Sequence, residues 1–325
     1  SNPYGIASVF HLTPEETDYC RYVSKALIGN RSAVVIKTPA SDIKSRVIPA
    51  GMIEIEGTRY NRSVKVDSGA EKIMDAVREV KQIVDVKGEP GTNIGGMLET
   101  IRMNLSASCH MDRKEIKISD IMAVDSYTAV EIKGGLAGEY AMETGVAIAA
   151  MVKTDQSFMD AVARELESRL KVPVSVGGIE GAMAFKGVLT TPGAAPPLVM
   201  IDIGAGSTDA AYMDAEGRTR AVHLAGAGNL ITMLINSELH LNNYETAEQI
   251  KKYPLAKVDN LYRLRYENGD VTFLNEPLPA QYFGQTVTVA ENMRLGIVES
   301  KAPIEKIRSV RRQAKKKVII ENVKR

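Results

Sequence analysis

"PPLVMIDIGAGSTDAAYMDAEGRTRAVHLAGAG", residues 196–228, decides the reading of this 325-residue chain. An apolar run from Leu198 to Ile203 carries a single carboxylate, Asp202, and stops at Gly204-Ala205-Gly206. Two hydroxyls, Ser207 and Thr208, and a second carboxylate, Asp209, follow before the chain turns apolar again. "DAEG" marks a second turn, "TRAVHL" a third apolar run, and Gly226 and Gly228 a further glycine turn. Short apolar runs punctuated in this way predict three antiparallel strands in a meander.

A loop that binds phosphate must aim backbone N–H groups at one point, and glycine permits the positive φ angles and close approach that a side chain obstructs. Gly204, Ala205 and Gly206 are read as such a loop, with Ser207 and Thr208 as hydroxyl donors. Asp202 is read as the carboxylate that holds a magnesium-bound water, because magnesium favours carboxylate, phosphate and water oxygens. A strand follows this turn. It is therefore neither a Walker A loop nor a Rossmann G-x-G-x-x-G, both of which lead into a helix. An isolated G-x-G serves turn geometry alone more often than it serves a ligand. The flanking strands, carboxylates and paired hydroxyls reverse that balance here.

Working outward, "YETAEQIKKYPLAKV" (244–258) places Glu248 and Lys251 at i and i+3 on one helical face, with Lys252 beside them. By itself that spacing fits a surface ion pair. Residues 156–170 form the strongest amphipathic helix, with Met159, Val162, Leu166 and Leu170 on one face and Asp155 as N-cap. Further helices are expected over 14–28, over 70–84 (Ile73, Val77, Val80, Ile83) and, following a glycine-rich turn, within 89–107. Strands are expected at 32–39 and within 46–57, and a short helix of small residues within 177–193.

Bulk properties exclude more than they assign. With 41 basic and 40 acidic side chains, nothing favours a nucleic acid. Cys20 and Cys109 are too few for a disulfide framework, and His11, His110, His223 and His240 lack metal-ligand spacing. No apolar run reaches the roughly 18 residues that a membrane-spanning helix needs. A cytoplasmic protein is expected. "RRQAKKK" (311–317) reads as a solvated helical face, and the "VII" after it as strand-like.

The D-x-G-x-G-S/T-T-D hairpin resembles the second phosphate loop of the actin, sugar-kinase and heat-shock-chaperone ATPase superfamily. The order along the chain supports the resemblance: "IEGAMAFKG" (179–187), the hairpin, the Gly226/Gly228 turn, then the E-x-x-K helix. The resemblance implies that Glu180 faces the cleft and orients a water. It also implies that Gly226 and Gly228 open a helix whose free N–H groups suit an anion. Glu248, Lys251 and Lys252 would contact the adenosine. In all, Asp202 and Glu180 are the implied catalytic residues, and ATP or ADP with magnesium the implied cofactors.

A closer resemblance covers nearly the whole chain. "SNPYGIASVF", "ALIGNRSAVVIKTP", "GTNIGGMLE", "GGLAGEY", "LTTPG", "IDIGAGSTDAA", "HLAGAG" and "EQIKKYPLAKVDNLYRLR" are similar to the large-subunit family of the diol dehydratase and glycerol dehydratase reactivases. That family implies α/β lobes of the actin/heat-shock-chaperone, ribonuclease H-like ATPase type, with part of a swivelling β/α domain at the N-terminus. The implied division is 1–43 for the end of the swivelling domain, 44–194 for an ATPase segment and 195–325 for a partial second lobe. The implied function is an ATP-dependent chaperone that frees damaged adenosylcobalamin from an inactivated dehydratase. Its partners would be a small subunit, in a two-large, two-small assembly, and the dehydratase itself, without nucleic acid or membrane. Association with a bacterial microcompartment is compatible with this. The family's first phosphate loop and its later adenosine segment have no counterpart here, so a fragment with little turnover of its own is expected. A small-molecule kinase and a non-catalytic interaction subunit are the alternative readings.

Overall fold

The computed structural model describes residues 33–39, 48–109, 112–131, 140–153, 156–178 and 180–325. The helix expected over 14–28, the Asp155 cap, and Cys20, His11 and His110 lie outside them. Strand β1 (Ala33–Pro39), β5 (Ile118–Glu131) and β6 (Tyr140–Val152) form one sheet in the order β1-β6-β5. The chain divides into two compact units, one holding residues up to Ala123 with Ile148–Gly228, the other Val124–Ala147 with Asn229–Arg325.

In the first unit, β2 (Met52–Gly57) pairs antiparallel with β3 (Arg62–Lys65) and β4 (Ile83–Gly88). Helix α1 (Ala70–Val80) buries Ile73, Met74, Val77 and Val80. It ends three residues before Ile83, which the periodicity had placed on its apolar face. Lys81 takes φ +62°, and its N–H closes on the Val77 carbonyl, so the chain turns and Ile83 begins β4. Helix α2 (Asn93–Cys109) is bolted down by a buried ion pair, Arg102 Nη2 to Asp85 Oδ1 at 2.8 Å. The same oxygen accepts the Ile118 N–H at 3.0 Å, which ties β4 to the start of β5. Helix α3 (Gln156–Leu170) buries Met159, Val162 and Leu166 as its spacing requires, and Leu170, Val174 and Val176 pack against them.

The meander is as expected. Strands β7 (Leu198–Ile203), β8 (Ser207–Met213) and β9 (Thr219–Ala225) form an antiparallel sheet in sequence order. Helix α4 (Glu180–Leu189) covers one face, with Phe185 buried against Met200 and Ala211 and flanked by Leu198, Met213 and Ala221. These residues alternate along each strand, so the pleat sends one side of every strand toward α4.

In the second unit, α5 (Gly228–Glu238) and α6 (Tyr244–Lys252) precede a five-stranded antiparallel sheet. Its strands are β10 (Leu255–Asn260), β11 (Arg263–Tyr266), β12 (Val271–Phe273), β13 (Thr286–Val289) and β14 (Leu295–Ile297), in the order β12-β11-β10-β13-β14. Ala256, Val258, Leu264, Val287 and Val289 make its core. The last helix, α7 (Ile304–Val323), contains the "VII" that reads as strand-like, and Val318 is buried on its inner face. It also corrects the solvated reading of "RRQAKKK" at Arg311, while Arg312, Gln313 and Lys316 are exposed as that reading has them. Arg311 is 13% exposed and forks onto Glu267 at 2.5 and 2.6 Å, while its other Nη donates to the carbonyls of Ile250 and Tyr253. One guanidinium thus caps the end of α6 and anchors α7.

Breaking that pair leaves the largely buried Glu267 without its hydrogen-bonded countercharge. Arg311→Met in the intact protein is expected to cost about 3 kcal/mol of unfolding free energy, read from urea midpoints. Arg311→Lys should recover only part of this, since one ammonium cannot serve Glu267 and the carbonyls of Ile250 and Tyr253 at once. An unchanged midpoint for Arg311→Met would mean that the pair does not anchor the helix.

Candidate functional site

The hairpin loop is built by two glycine turns locked together. Gly204 N–H closes the first turn on the Ser207 carbonyl at 3.0 Å. Gly226 N–H donates to the Gly206 carbonyl at 3.0 Å, Gly228 N–H to the Gly204 carbonyl at 3.1 Å, and the Thr208 hydroxyl to the Gly226 carbonyl at 2.9 Å. Ser207 and Thr208 are both buried. The end of β9 is pinned in turn, because Asp120 Oδ2 accepts the Ala225 N–H at 2.7 Å. The amides of Gly204, Gly226 and Gly228 therefore build the frame. The N–H groups of Ala205 and Gly206 donate to nothing among the described residues.

Asp202 stands beside this loop, half-buried, and its carboxylate takes no hydrogen bond or ion pair from the described residues. Register places it in a row across the sheet: Asp202 on β7 opposite Asp209 on β8, and Asp209 opposite His223 on β9. His223 Nδ1 lies 2.6 Å from Asp209 Oδ1, in a pair 17% and 6% exposed. Helix α4 lies close over the row. A methyl group at Gly181 would sit 3.2 Å from Asp209 Oδ1, a tight contact that would ask the carboxylate to give by a few tenths of an ångström. Burial first, then the charges of Asp209 and Asp202, push the Glu180 carboxyl above the ordinary carboxylate range.

The E-x-x-K helix is described by itself. Asn243 caps α6 by accepting the Thr246 N–H at 3.1 Å. Glu248 accepts from Lys251 at 2.6 Å, from Lys252 at 2.9 Å and from the Thr232 hydroxyl of α5 at 2.5 Å. Burial alone would raise the Glu248 carboxyl, but these three donors outweigh it and hold the carboxyl at about 2. The pair is more than a surface decoration, since Lys251 is 14% exposed.

Residues 64–325 match the model of the diol dehydratase reactivase ATPase-like domain. The chain belongs to that family. Residues 1–43 match the model of the reactivating-factor swiveling domain. The chain is 48% identical over 327 residues to the diol dehydratase-reactivating factor large subunit of Klebsiella michiganensis, and 47% identical over 325 residues to the propanediol dehydratase-reactivating factor large subunit of Salmonella typhimurium. Each alignment takes in 100% of this chain and 53% of the relative, so the chain spans about half the length of the curated relatives it matches. Among solved structures, a glycerol dehydratase reactivase superposes with a TM-score of 0.77 at 50% identity, over 99% of this chain and 53% of that one. A diol dehydratase-reactivating factor in nucleotide-free form superposes at 0.76 and 47%, with the same coverage. The expected fold class, α/β lobes of the actin-like ATPase type, stands.

The reactivase hairpin thus gathers Glu180, Asp202 and the Gly204–Thr208 loop with Gly226 and Gly228, and it adds three residues that the sequence reading had not assigned to a site: Asp209, His223 and Asp120. Asp209 and His223 were legible only to within a residue. Reflecting Asp202 about Ala205, the centre of the Gly204–Gly206 loop, lands on Thr208, and reflecting Asp209 about the middle of "DAEG" lands on Val222, whereas the observed partners are Asp209 and His223, each one residue further along. Asp120 comes from a strand about a hundred residues upstream, and no local signal points to it.

Two outcomes follow from the charges. Ionised Glu180 costs folding free energy, because its folded-state value is raised, and the cost grows as pH rises through that value. Glu180→Gln should therefore raise the thermal midpoint of the intact protein at pH 8, with the gain shrinking at pH 4; a lower midpoint at pH 8 would contradict it. Glu248 has the opposite sign: its folded-state value is depressed, so its stabilisation is full above about 4.5 and is lost as pH falls toward 2. Glu248→Gln should cost on the order of 2–3 kcal/mol at pH 7 in urea titrations, with the difference more than halved at pH 3.

Proposed function

We propose that this chain carries nucleotide-binding elements of a dehydratase reactivase, an ATP-dependent chaperone that releases damaged adenosylcobalamin from an inactivated diol or glycerol dehydratase. One observation carries the reading. Among the described residues, the hairpin presents two amides without an acceptor, Ala205 and Gly206, beside a carboxylate without a donor, Asp202, on a loop that is otherwise hydrogen-bonded into a frame. A phosphate chain supplies acceptors for the amides and, through a bridging cation, a use for the carboxylate. Family membership supports the same reading.

In this reading Ala205 and Gly206 donate to phosphate oxygens. Gly204, Ser207, Thr208, Gly226 and Gly228 shape the loop, and Glu180 orients the attacking water. Glu248, Lys251 and Lys252 are assigned to the adenosine. No three metal-ligating side chains converge among the described residues. That fits magnesium, which keeps most of its waters and binds chiefly through phosphate, with Asp202 accepting from a coordinated water. When bound, the ion would neutralise charge developing on the phosphates.

The division into 1–43, 44–194 and 195–325 is part of the proposal, as are a small-subunit partner, a two-large, two-small assembly and a cytoplasmic, microcompartment-associated location. No helix among the described residues is long and apolar enough to cross a membrane.

In the intact protein, Asp202→Ala is expected to lower the ATPase kcat by on the order of 100-fold, as removal of a group that stabilises transferring phosphate does elsewhere. It should also abolish recovery of glycerol-inactivated dehydratase supplied with ATP, magnesium and fresh cofactor. Full recovery with Asp202→Ala would refute the site, and phosphoryl transfer from ATP to a metabolite would favour a kinase instead.

A further inference from the structure

The row across the hairpin sheet ends in a histidine with no assigned role. His223 donates from Nδ1 to Asp209 Oδ1 at 2.6 Å, because an ionised carboxylate can only accept. Its other nitrogen, Nε2, is sealed from solvent and has no hydrogen-bond partner among the described residues. Asp209 is 4% exposed, and the imidazole is the only hydrogen-bond partner of its carboxylate among those residues. A buried polar atom left without a partner is costly, so an arrangement that leaves Nε2 bare needs a compensating use of the ring.

From this geometry we infer that His223 is a positioning residue of the hairpin site, fixing the Asp209 carboxylate by its Nδ1–H. The inference rests on the nucleotide reading given above. Asp209 Oδ1 is occupied by the imidazole and boxed in by the glycine edge of α4 at Gly181. The carboxylate cannot rotate without losing that bond. Only Oδ2 remains to meet a ligand or water in the row that begins at Asp202. Without the imidazole, the Asp209 carboxylate would have no hydrogen-bond partner among the described residues and nothing to fix its orientation. His223 therefore acts on the site by holding Asp209, and it also lies close enough to act electrostatically on Glu180.

The test compares His223→Asn, His223→Gln and His223→Ala in the intact protein. The Asn amide places an N–H near the position of Nδ1, whereas the Gln amide reaches toward the position of Nε2. His223→Gln and His223→Ala should lower kcat for ATP by on the order of 10–100-fold, the range seen when a supporting partner of a site ligand is removed. The KM for ATP and the calorimetric Kd for ADP should hold. His223→Asn should recover most of the rate. Nitrogen NMR of the unsubstituted protein should show His223 protonated at Nδ1 and bare at Nε2, a readout independent of activity.

A His223→Gln protein as fast as the unsubstituted one, an Nε2-protonated ring, or equal losses in the Asn and Gln proteins would overturn the role of His223 while leaving the nucleotide reading intact. Equal losses would mean that the ring serves only packing. An intact protein that neither binds ADP nor hydrolyses ATP overturns the nucleotide reading, and the role of His223 with it.

Discussion

Two glycine turns hold each other in place, and the rest of the site depends on that contact. Gly226 takes φ +89°, and a methyl group there would come within 2.5 Å of the Met122 sulfur, so both backbone and packing demand glycine. In that conformation its N–H reaches the Gly206 carbonyl while its own carbonyl receives the Thr208 hydroxyl. The frame is thus satisfied from within. Of the two N–H groups that donate to nothing among the described residues, one is on exposed Ala205 and the other on buried Gly206; held in a fixed frame, such dipoles are preorganised toward developing charge.

The hairpin and the E-x-x-K helix treat charge in opposite ways. Around Glu248 every oxygen has a donor, and the carboxyl is held at about 2. Around the hairpin, Asp202, Asp209 and Glu180 crowd together, and the described residues give their charges one hydrogen-bonded partner, His223. The first arrangement stabilises the fold as it stands. The second gathers like charges that a bound cation would relieve, which is the pattern expected where perturbed carboxylates serve a ligand rather than the core.

How much of this was legible depends on the range of the forces involved. The meander, α3, α4 and α6 are dictated by local periodicity and turn residues, and the chain shows them where the pattern puts them. The end of α1 was not legible, because Lys81 adopts a left-handed conformation that its residue type does not announce. Arg311 sits in a basic run and looks solvated until β11 brings Glu267 beside it. The sheet of β10 to β14 was not read from sequence at all. Its strands are three to six residues long, and their stability comes from cross-strand pairing rather than from any segment's own propensity.

A chaperone that ejects a tightly held cofactor can shift its client only by binding the opened form better than the closed one. Moving such an equilibrium from 1:99 to 99:1 takes about 5.5 kcal/mol of differential affinity. In the proposed reading, the nucleotide must change that difference through rigid parts, and α4 is built as one. Its first turn touches Asp209 at Gly181, Glu180 faces the same carboxylates, and one turn further on Phe185 is locked between Met200 and Ala211. In that reading, a change of charge at the loop would act on a helix anchored through Phe185, and close-packed cores resist small deformations. A helix held in this way would shift as a body, which is the kind of response a two-state switch requires.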